Sequence, residues 1–506
     1  MKKILALVMV MTMLFAIASV ANADPVDTVS IAYNKAVDTF TPIAEVPEQA
    51  TTSMIFEPLW RQDAMNHVYL PAIAKSWEWV DPMTLHVVLN DDVYDTAGNH
   101  ITASDVVYSI GLKIDPGNNT TFIDIDNATY TDYDLTLPVL APAHTAIELT
   151  ISNIYIVSQA AWEASEDEMA LTPVGSGPYK LTEYVANSHC TLTFNEDWHG
   201  KTEEPQIKTV KVRFVTDAAQ RLNVLRTGDV DYAYGLNFTD KVIVEAEPSL
   251  QTIILPEDGQ LGIYFNMQSP LFKDNLAFRQ AICYAINNAA VSMVNKAGLA
   301  PVARGIGVQS GAMHSNAAFA EGLEKIIGDT NYYEYNIEKA KELLKEANVP
   351  AGTTINFLYY TTAGMDTLAK VLQGTLQEIG LNLNLDLQAS QPAYIGKLFS
   401  PDGYDITPLS LEAEPLAQWF MISNNLWDMN KFDEETAAEI GDLVNAAYAS
   451  SGDDEVNYLL ELERIYYENC YAYQIYDDYG FSACKTNVKP VMNTVLHPDY
   501  TKWVVE

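Results

Sequence analysis

The chain has 506 residues and a formal net charge of −38, with 48% hydrophobic and 19% charged residues. This composition is typical of a globular protein, and at roughly 100–200 residues per domain it predicts two to three lobes. Acidic residues outnumber basic ones by 67 to 29. Such a field repels phosphate backbones and anionic lipid headgroups, so we expect no nucleic acid among the partners.

The first segment has the features of a secretory signal peptide. Lys2 and Lys3 supply positive charge, residues 4–20 are apolar apart from two hydroxyl side chains, and residues 21–23 (ANA) fit a cleavage site. We therefore predict a signal peptide over residues 1–23 and a mature chain that begins near Asp24. No cysteine lies near this junction, so the usual acceptor of a lipid anchor is missing.

The chain contains four cysteines: Cys190, Cys283, Cys470 and Cys484. They allow three pairings, and the sequence does not choose among them. A Cys470–Cys484 pair would close a loop of about 15 residues, worth roughly 3 kcal/mol. Buried free thiols are the equal alternative.

The first half of the chain is dominated by strand patterns. Apolar side chains alternate with others in three segments, which predicts half-buried strands around residues 85–89, 190–194 and 210–214. A helix follows the third segment, with Asp217 as its N-cap and Gly228 as its stop.

The second half predicts a different arrangement. Asn336 caps a helix with an apolar stripe over residues 337–347, and residues 355–359 are strand-like. A helix over 368–379 ends at Gly380, and leucines alternate over 381–387. This strand–helix–strand order predicts a βαβ unit with a right-handed crossover. The fold class is therefore multi-lobed α/β.

Motifs for catalysis are missing from the sequence. It contains no G-x-S-x-G, H-E-x-x-H, C-x-x-C or G-x-x-x-x-G-K-[ST] pattern, and its eight histidines are scattered. Residues 175–177 (GSG) lack the Lys-Ser or Lys-Thr that completes a phosphate loop. We therefore predict that the chain is not an enzyme and that it has no catalytic residues, no metal site and no cofactor.

Four stretches, taken in order, resemble the extracytoplasmic solute-binding proteins that feed peptide, nickel and related ABC importers. The first combines residues 55–59 (IFEPL), 71–78 (PAIAKSWE), 84–87 (TLHV) and 101–109 (ITASDVVYS). The others are 174–179 (VGSGPY), then 264–266 (YFN) with 278–286 (FRQAICYAI), and finally 338–344 (EKAKELL). Together they span nearly the whole mature chain.

This resemblance implies a periplasmic-binding-protein-like fold of two α/β lobes joined by hinge strands, with a smaller inserted domain. Carried onto this chain, lobe I covers residues 24–50, 173–265 and 476–506, the inserted domain II covers 51–172, and lobe III covers 266–475. The chain is then expected to cross the hinge near residues 264–266 and again near 474–476.

The resemblance also implies a ligand pocket between lobes I and III. Glu45 and Val46 match the backbone strand that pairs with a bound peptide in the oligopeptide-binding branch, where main-chain hydrogen bonds supply affinity. The alternative for these two residues is an exposed loop. Trp419 and Tyr476 are further candidates because each could stack on a ligand, although such rings more often belong to a core.

Residues 404–415 depart from the pattern of the peptide-binding members. Those members place an Asp, which holds the peptide's amino terminus, where this chain has Leu411, and Glu412 follows one residue later. A buried ammonium needs a paired carboxylate. Either Glu412 replaces the Asp, or the ligand is not a peptide held in that way.

The predicted function is capture of a peptide or similar small solute by hinge closure, and its delivery to the permease subunits of an ABC importer. The alternatives are a non-peptide ligand of the same family (metal chelate, oligosaccharide or opine-like solute), a secreted hydrolase, and an exported chaperone or adhesin. We expect a monomer in the periplasm, because a binding protein without a lipid anchor is retained only by an outer membrane.

Overall fold

The computed structural model describes residues 26–43, 49–63, 68–114, 122–165, 169–307, 316–328, 333–361, 363–400, 403–411, 429–492 and 498–506. Its strands are β1 (Thr28–Tyr33), β2 (Trp60–Asp63), β3 (Val68–Pro71), β4 (Ala74–Asp81), β5 (Thr84–Leu89), β6 (Thr129–Tyr130), β7 (Asp134–Pro138), β8 (Tyr179–Val185), β9 (His189–Phe194), β10 (Thr209–Phe214), β11 (Tyr232–Ala233), β12 (Leu250–Phe265), β13 (Thr354–Tyr360), β14 (Asn382–Gln388), β15 (Ile406–Leu411), β16 (Ala472–Lys485), β17 (Val488–Lys489) and β18 (Val504–Val505).

The α-helices are α1 (Gln49–Ile55), α2 (Ala103–Lys113), α3 (His144–Ser152), α4 (Gln159–Ala164), α5 (Ala218–Arg226), α6 (Lys241–Glu245), α7 (Leu276–Tyr284), α8 (Asn288–Lys296), α9 (Ala317–Ile327), α10 (Ile337–Glu346), α11 (Ala363–Glu378), α12 (Gln391–Leu398), α13 (Glu434–Tyr448) and α14 (Asp453–Asn469). Short 3-10 turns cover Ile125–Asn127, Phe238–Asp240 and Tyr500–Lys502. Across the described ranges, no helix combines the length and the apolar character needed to span a bilayer.

The main sheet of the molecule has ten strands of mixed direction, in the order β14-β13-β15-β12-β16-β11-β1-β10-β9-β8. The two long strands β12 and β16 lie in its centre and pair with each other antiparallel along most of their length. We call the strands on one side (β11, β1, β10, β9 and β8) half-sheet A and those on the other (β14, β13 and β15) half-sheet B. The α/β fold class is confirmed.

The predicted local patterns are confirmed in both halves. Along β5 and β9 every second side chain is buried, and Asp217 caps α5 by accepting a hydrogen bond from the Gln220 amide. Asn336 caps α10 in the same way, through the Lys339 amide. β13, α11 and β14 form the expected unit, with β13 and β14 parallel in register from Thr354 opposite Asn382.

A separate four-stranded antiparallel sheet, β4-β5-β7-β6, lies within residues 51–172. α2 and α3 supply apolar side chains to the core beneath this sheet, among them Val106, Ile110 and Ile147. Trp77 stacks on the buried Trp60 with ring centroids 4.5 Å apart, so it contributes to the packing of this domain. The domain limits themselves stay a prediction.

The two glycines at 175 and 177 act by close approach rather than by turn geometry. Neither has a positive φ angle, so the backbone conformation alone does not require glycine at either position. A Cβ atom on Gly175 would lie 2.1 Å from the Ile55 carbonyl oxygen, and one on Gly177 would lie 2.5 Å from that of Met54. The Gly177 amide donates to the Ile55 carbonyl over 2.8 Å. Glycine is therefore required because the loop lies against the end of α1.

The structure excludes the Cys470–Cys484 pairing. Cys470 precedes β16 and Cys484 lies near its far end, so roughly 40 Å of extended strand separates them at about 3.3 Å per residue. All four cysteines are buried thiols. Cys283 is the one that lies beside Cys470, with their Sγ atoms 3.2 Å apart.

Substitution of Gly175 tests the close approach to α1. Gly175→Ala is expected to lower the free energy of unfolding by about 1–3 kcal/mol, because its Cβ would overlap the Ile55 carbonyl. Gly374→Ala is the matched control, since Gly374 lies inside α11 with nothing within 4 Å of the added Cβ. That control should gain about 0.5–1 kcal/mol of helix propensity. Urea unfolding of both variants measures the difference, and equal stability of the two would contradict the packing argument.

Candidate functional site

The parallel strands of both half-sheets point their carboxyl ends at the same place. β11 runs antiparallel to β16, from Tyr232 opposite Cys484 to Ala233 opposite Ala483, and β1 and β10 are parallel to β11. In half-sheet B, β15 runs antiparallel to β12 and ends with Leu411 opposite Gln260. The strands of both half-sheets therefore end beside the middle of β12 and β16.

The pairing of β12 with β16 is interrupted at that middle. Pro256 lies opposite Tyr479 and Gln260 opposite Asp477, so residues 257–259 face Asp478 alone. Such an irregularity bends a strand locally and offers a hinge. The interruption precedes residues 264–266, where the sequence predicts that the chain first crosses the hinge. It lies close to residues 474–476, where the second hinge crossing is expected. We call the space at this point, between the two sets of strand ends, the central cleft.

Carboxyl ends of strands are where open α/β sheets bind ligands, because the loops that follow diverge there and leave a crevice. In this chain the two half-sheets present such edges to each other. Any molecule in the central cleft would therefore contact loops of both halves. This arrangement suits binding by enclosure.

A buried polar group fixes the half-sheet B side of the crossing. The Gln260 amide donates to the Asp477 carboxylate over 2.9 Å and to the Gly307 carbonyl over 2.8 Å, and its Oε1 accepts from the Gly307 amide. Gln260 is fully buried and Asp477 almost so. Hydrogen bonds of this kind, inside a low-dielectric interior, hold the strands in one orientation.

Tyr476 lies one residue from this network, opposite Leu261. Its ring is buried, and the Asn295 side-chain amide donates to its phenol oxygen over 3.2 Å. The same amide donates to the carbonyl of Gly364, in the first turn of α11. Burial, and then the neighbouring Asp478 carboxylate, raise the pKa of the Tyr476 phenol well above its ordinary value, so it keeps its proton at neutral pH.

On the half-sheet A side, Arg221 holds the loops that follow the strands. Its guanidinium donates to the carbonyls of Val215 and Thr216 over 2.7 and 2.8 Å, and also to the carbonyl of Gly235. Gly235 has φ +59°, a conformation that favours glycine, and an added Cβ would lie 2.9 Å from the Asn34 amide. One buried arginine thus shapes the strand ends that face the cleft.

Lys296 connects the two halves on the outside of the crossing. It ends α8, pairs with the Asp478 carboxylate and donates to the Tyr479 carbonyl over 3.1 Å. Its ammonium also lies 5.1 Å from the ring centre of Phe238, which contacts Phe481 in the half-sheet A part of β16. A change in the angle between the halves must alter these contacts.

The residues from 51 to 172 contact both halves of the main sheet. Phe122 packs on Tyr448 of α13 with ring centres 5.1 Å apart, and the Thr145 hydroxyl donates to the Glu455 carboxylate in α14 over 3.1 Å. On the other side, Glu57 accepts from Arg61 over 2.5 Å and from His199 over 2.8 Å.

The Glu57–His199 pair is buried and its two pKa shifts agree. Burial works against the charged form of Glu57, but its hydrogen bond with His199 and the charges of His199 and Arg61 lower its pKa below the ordinary 4.5. Burial likewise opposes charging of His199, and the Glu57 carboxylate raises the pKa of His199 above 6.5. The pair borders a cavity of 780 Å³, which is also lined by Trp198 and Asp499. None of the described strand ends at the central cleft contributes to the lining of this cavity. Because its charged groups satisfy one another, we assign this cluster to the joint between domain II and half-sheet A.

Most of the predicted site residues lie outside the described residues: Glu45, Val46, Glu412 and Trp419. Leu411 is placed through its backbone at the cleft end of β15, and Tyr476 lies nearby on β16. The structure therefore brings two of the six to neighbouring register positions. Sequence reasoning missed Gln260, Asn295 and Arg221, since no motif marks a buried polar side chain whose partners are distant in the chain.

The described ranges contain no group of three or more His, Cys, Asp or Glu side chains arranged to hold a metal ion. The cleft edges described above contain strand ends, the Tyr476 ring, the Gln260 amide and the charged side chains of Arg221, Lys296 and Asp477.

The family model of bacterial extracellular solute-binding proteins, family 5 (middle region), matches residues 68–432. The chain belongs to this family. The resemblance stated from the sequence is confirmed, and the family is one of binding proteins rather than enzymes, as predicted. An ABC transporter peptide-binding protein of Brucella ovis is 26% identical over 369 residues, which cover 68% of this chain and 65% of that protein. The aligned part thus spans just under two thirds of the relative's own length.

Solved structures of family 5 type share the fold over nearly the whole chain. The ABC transporter substrate-binding protein CtaP of Listeria monocytogenes matches with a TM-score of 0.79 at 20% identity, covering 95% of this chain and all of CtaP. NikA of Brucella suis, solved with Fe(III)-EDTA, matches with a TM-score of 0.80 at 16% identity and the same coverage. At these identities the likeness concerns the fold alone.

The Glu57–His199 pair predicts a stability that depends on pH. Glu57, with a lowered pKa, stabilises the fold above its unfolded value and loses this effect as pH falls through its folded pKa. His199, with a raised pKa, stabilises below its unfolded value and loses this effect as pH rises through its folded pKa. Both contributions are present between about pH 4.5 and 6.5.

His199→Gln should therefore lower the free energy of unfolding by about 3 kcal/mol in that window, because it breaks a buried pair. The difference from the unmodified protein should shrink as pH rises through the folded pKa of His199. His189→Gln is the control, since His189 is a partly exposed strand residue. Denaturant unfolding at several pH values measures the effect, and a difference that stays constant or grows with pH would refute it.

Proposed function

We propose that this protein is the substrate-binding component of an ABC importer, and that it captures a peptide or similar small solute in the central cleft and delivers it to membrane permease subunits. The observation that carries the proposal is the convergence of two sets of strand carboxyl ends on one interrupted strand pair. A ligand there contacts both halves and favours the closed form by its differential affinity.

Closure bends the molecule at residues 257–259 and Asp478, where the strand pairing is interrupted. A shift from one part closed in a hundred to ninety-nine in a hundred requires about 5.5 kcal/mol of preference for the closed form. Contacts with two half-sheets supply such a preference without any covalent step. The closed form is the one that the permease would recognise.

A peptide is the first choice of ligand because the Brucella ovis relative is named as peptide-binding. A non-peptide ligand, such as a metal chelate, is the second candidate. Two observations favour it: Leu411 stands where peptide-binding members place an amine-binding Asp, and a neighbour in fold was solved with Fe(III)-EDTA.

The proposed contacts follow from the predicted site. Glu45 and Val46 pair with the ligand backbone, Glu412 holds an ammonium group, and Trp419 stacks on a side chain. Leu411 and Tyr476 line the hinge side of the cleft, where their strands meet Gln260 and Leu261.

We further propose that the protein acts as a monomer in the periplasm, after cleavage of the signal peptide near Ala23. The support is the leader composition together with the extracellular description of the family. Recovery of the mature protein with a lipid attached, or mainly from culture medium, would contradict this location.

Native mass spectrometry of the mature protein, purified under mild conditions, tests the proposed function. We expect a bound species that leaves on denaturation with its mass unchanged, since a binding protein returns its ligand intact. A ladder of peptide masses supports peptide capture, whereas a single non-peptide mass supports the second candidate. Turnover of the released species by the same preparation would overturn the binding function in favour of a hydrolase.

Two variants test the pocket with the ligand identified in that way. Glu412→Gln is expected to weaken a peptide at least about tenfold, because it removes a charged partner from a buried ammonium. Glu45→Pro should weaken binding because it removes a backbone N–H from the segment proposed to pair with the ligand. Glu439→Gln, at an exposed position of α13, is the control and should bind normally. Titration calorimetry measures all three, and affinities within about twofold for both site variants would disprove the assignment, since a single lost hydrogen bond already costs about 1 kcal/mol.

A further inference from the structure

Two cysteines that are 187 positions apart in the chain meet in the core of half-sheet B. Cys283 lies on the buried face of α7, and Cys470 is the C-cap of α14, just before β16 begins. Their Sγ atoms are 3.2 Å apart and both residues are fully buried. Cys470 has φ +50°, a left-handed conformation that turns the chain from the helix into the strand.

A second contact, one helical turn away, holds the same two segments in place. Arg279 lies four residues before Cys283 on α7, so both side chains share one face. Its guanidinium donates twice to the Asn469 carbonyl, over 3.1 and 2.7 Å. These hydrogen bonds hold Asn469 and Cys470 against α7, and therefore keep the two thiols adjacent.

We propose that Cys283 and Cys470 form a disulfide in the exported protein, which joins α7 to the root of the crossing strand β16. The inference goes beyond the proposed transport function and rests only on export into an oxidising compartment. It does not depend on any ligand.

The other two cysteines lie too far apart to pair with each other. Cys190 lies opposite Val212, which lies opposite Ile31, Ile31 faces Tyr232, and Tyr232 faces Cys484. Four strand spacings therefore separate Cys190 from Cys484, about 19 Å at roughly 4.8 Å each, which a disulfide does not span. Burial raises the pKa of both thiols, that of Cys484 to about 11.

The bond forms by thiol–disulfide exchange with an external disulfide, either that of an exported oxidoreductase or a small one such as oxidised glutathione. The thiolate of one cysteine attacks the external disulfide, which gives a mixed disulfide and releases one thiol. The second thiolate attacks the protein sulfur of the mixed disulfide and releases the other thiol. Two protein thiols lose two protons and two electrons, and the external disulfide becomes two thiols.

Burial of the two sulfurs determines when the bond can form during folding. Because both sulfurs are inaccessible in the folded protein, the exchange takes place before α7 and α14 have closed over them. Once formed, the bond is shielded from reductants by the same packing. It lies wholly on the half-sheet B side, so it stiffens the base of β16 without restricting the hinge at residues 257–259.

Mass spectrometry of the full mature protein tests the bond directly. Protein recovered after export without reductant is denatured and alkylated with iodoacetamide. Before alkylation we expect a mass lower by two hydrogen atoms than that of the fully reduced chain, and after alkylation we expect two alkylated cysteines, Cys190 and Cys484. Trypsin should yield residues 280–296 joined to residues 465–485, with the alkyl group on Cys484. Four alkylated cysteines, or a bond from Cys470 to Cys484, would overturn the proposal.

Thermal unfolding gives a second measurement that does not depend on alkylation. Denaturing the unmodified protein and refolding it with dithiothreitol present should give a melting temperature about 5 °C or more below that of protein refolded without reductant, because denaturation exposes the bond and the bond closes a long loop. The double variant Cys190→Ala/Cys484→Ala is the matched control and should respond equally. Cys283→Ala/Cys470→Ala should show no response, and if this variant does not fold, the alkylation pattern of the unmodified protein decides alone. A melting temperature of the unmodified protein that refolding with dithiothreitol leaves unchanged would count against the bond.

Discussion

The antiparallel pairing of β12 with β16 is the interaction on which the rest of the structure depends. Within the described residues these two strands lie between half-sheets A and B and pair with strands of both. Their direction decides that the parallel strands on either side end at the same place. Their interruption between Pro256 and Gln260 decides where the molecule can bend. The cleft, its lining and its mechanism all follow from this one strand pair.

Several buried polar side chains join segments that are distant in the chain. Gln260 and Asp477 lie at the crossing, Arg221 at the strand ends of half-sheet A, and Glu57 with His199 where domain II meets that half. Because the desolvation of such groups offsets much of their attraction, they add little net stability compared with apolar packing. Instead they determine the relative position of the segments, since each forms its hydrogen bonds in a single arrangement of the segments that it joins.

These contacts are consistent with the proposed closure on a solute. If each half moved as a rigid body around its apolar core, the crossing residues and the Lys296 contacts would change with the angle between the halves. Domain II is anchored to half-sheet A through Glu57 and touches half-sheet B through Phe122 and Thr145. The contacts with half-sheet B are therefore the ones that a change in the interlobe angle would remake.

Much of the local structure could be predicted from the sequence because its causes are local. Alternation predicted β5 and β9, the side chains of Asp217 and Asn336 predicted two helix starts, and the ordered motifs predicted the family. The role of Gly175 could not be predicted in this way, since the carbonyl that it approaches belongs to a helix about 120 residues earlier in the chain.

What only the tertiary structure decided has a common physical reason. The partners of Gln260, Arg221 and Cys283 are distant in the chain, and their contacts arise from strand order and register, which no periodicity encodes. The cysteines illustrate this: the sequence did not choose among their pairings, and the end of α14 against α7 brings Cys283 and Cys470 together. The sequence by itself determined the class of protein and many of its helices and strands, and it predicted an export signal. The folded chain decided where the two sets of strand ends meet, and therefore where a ligand can be enclosed.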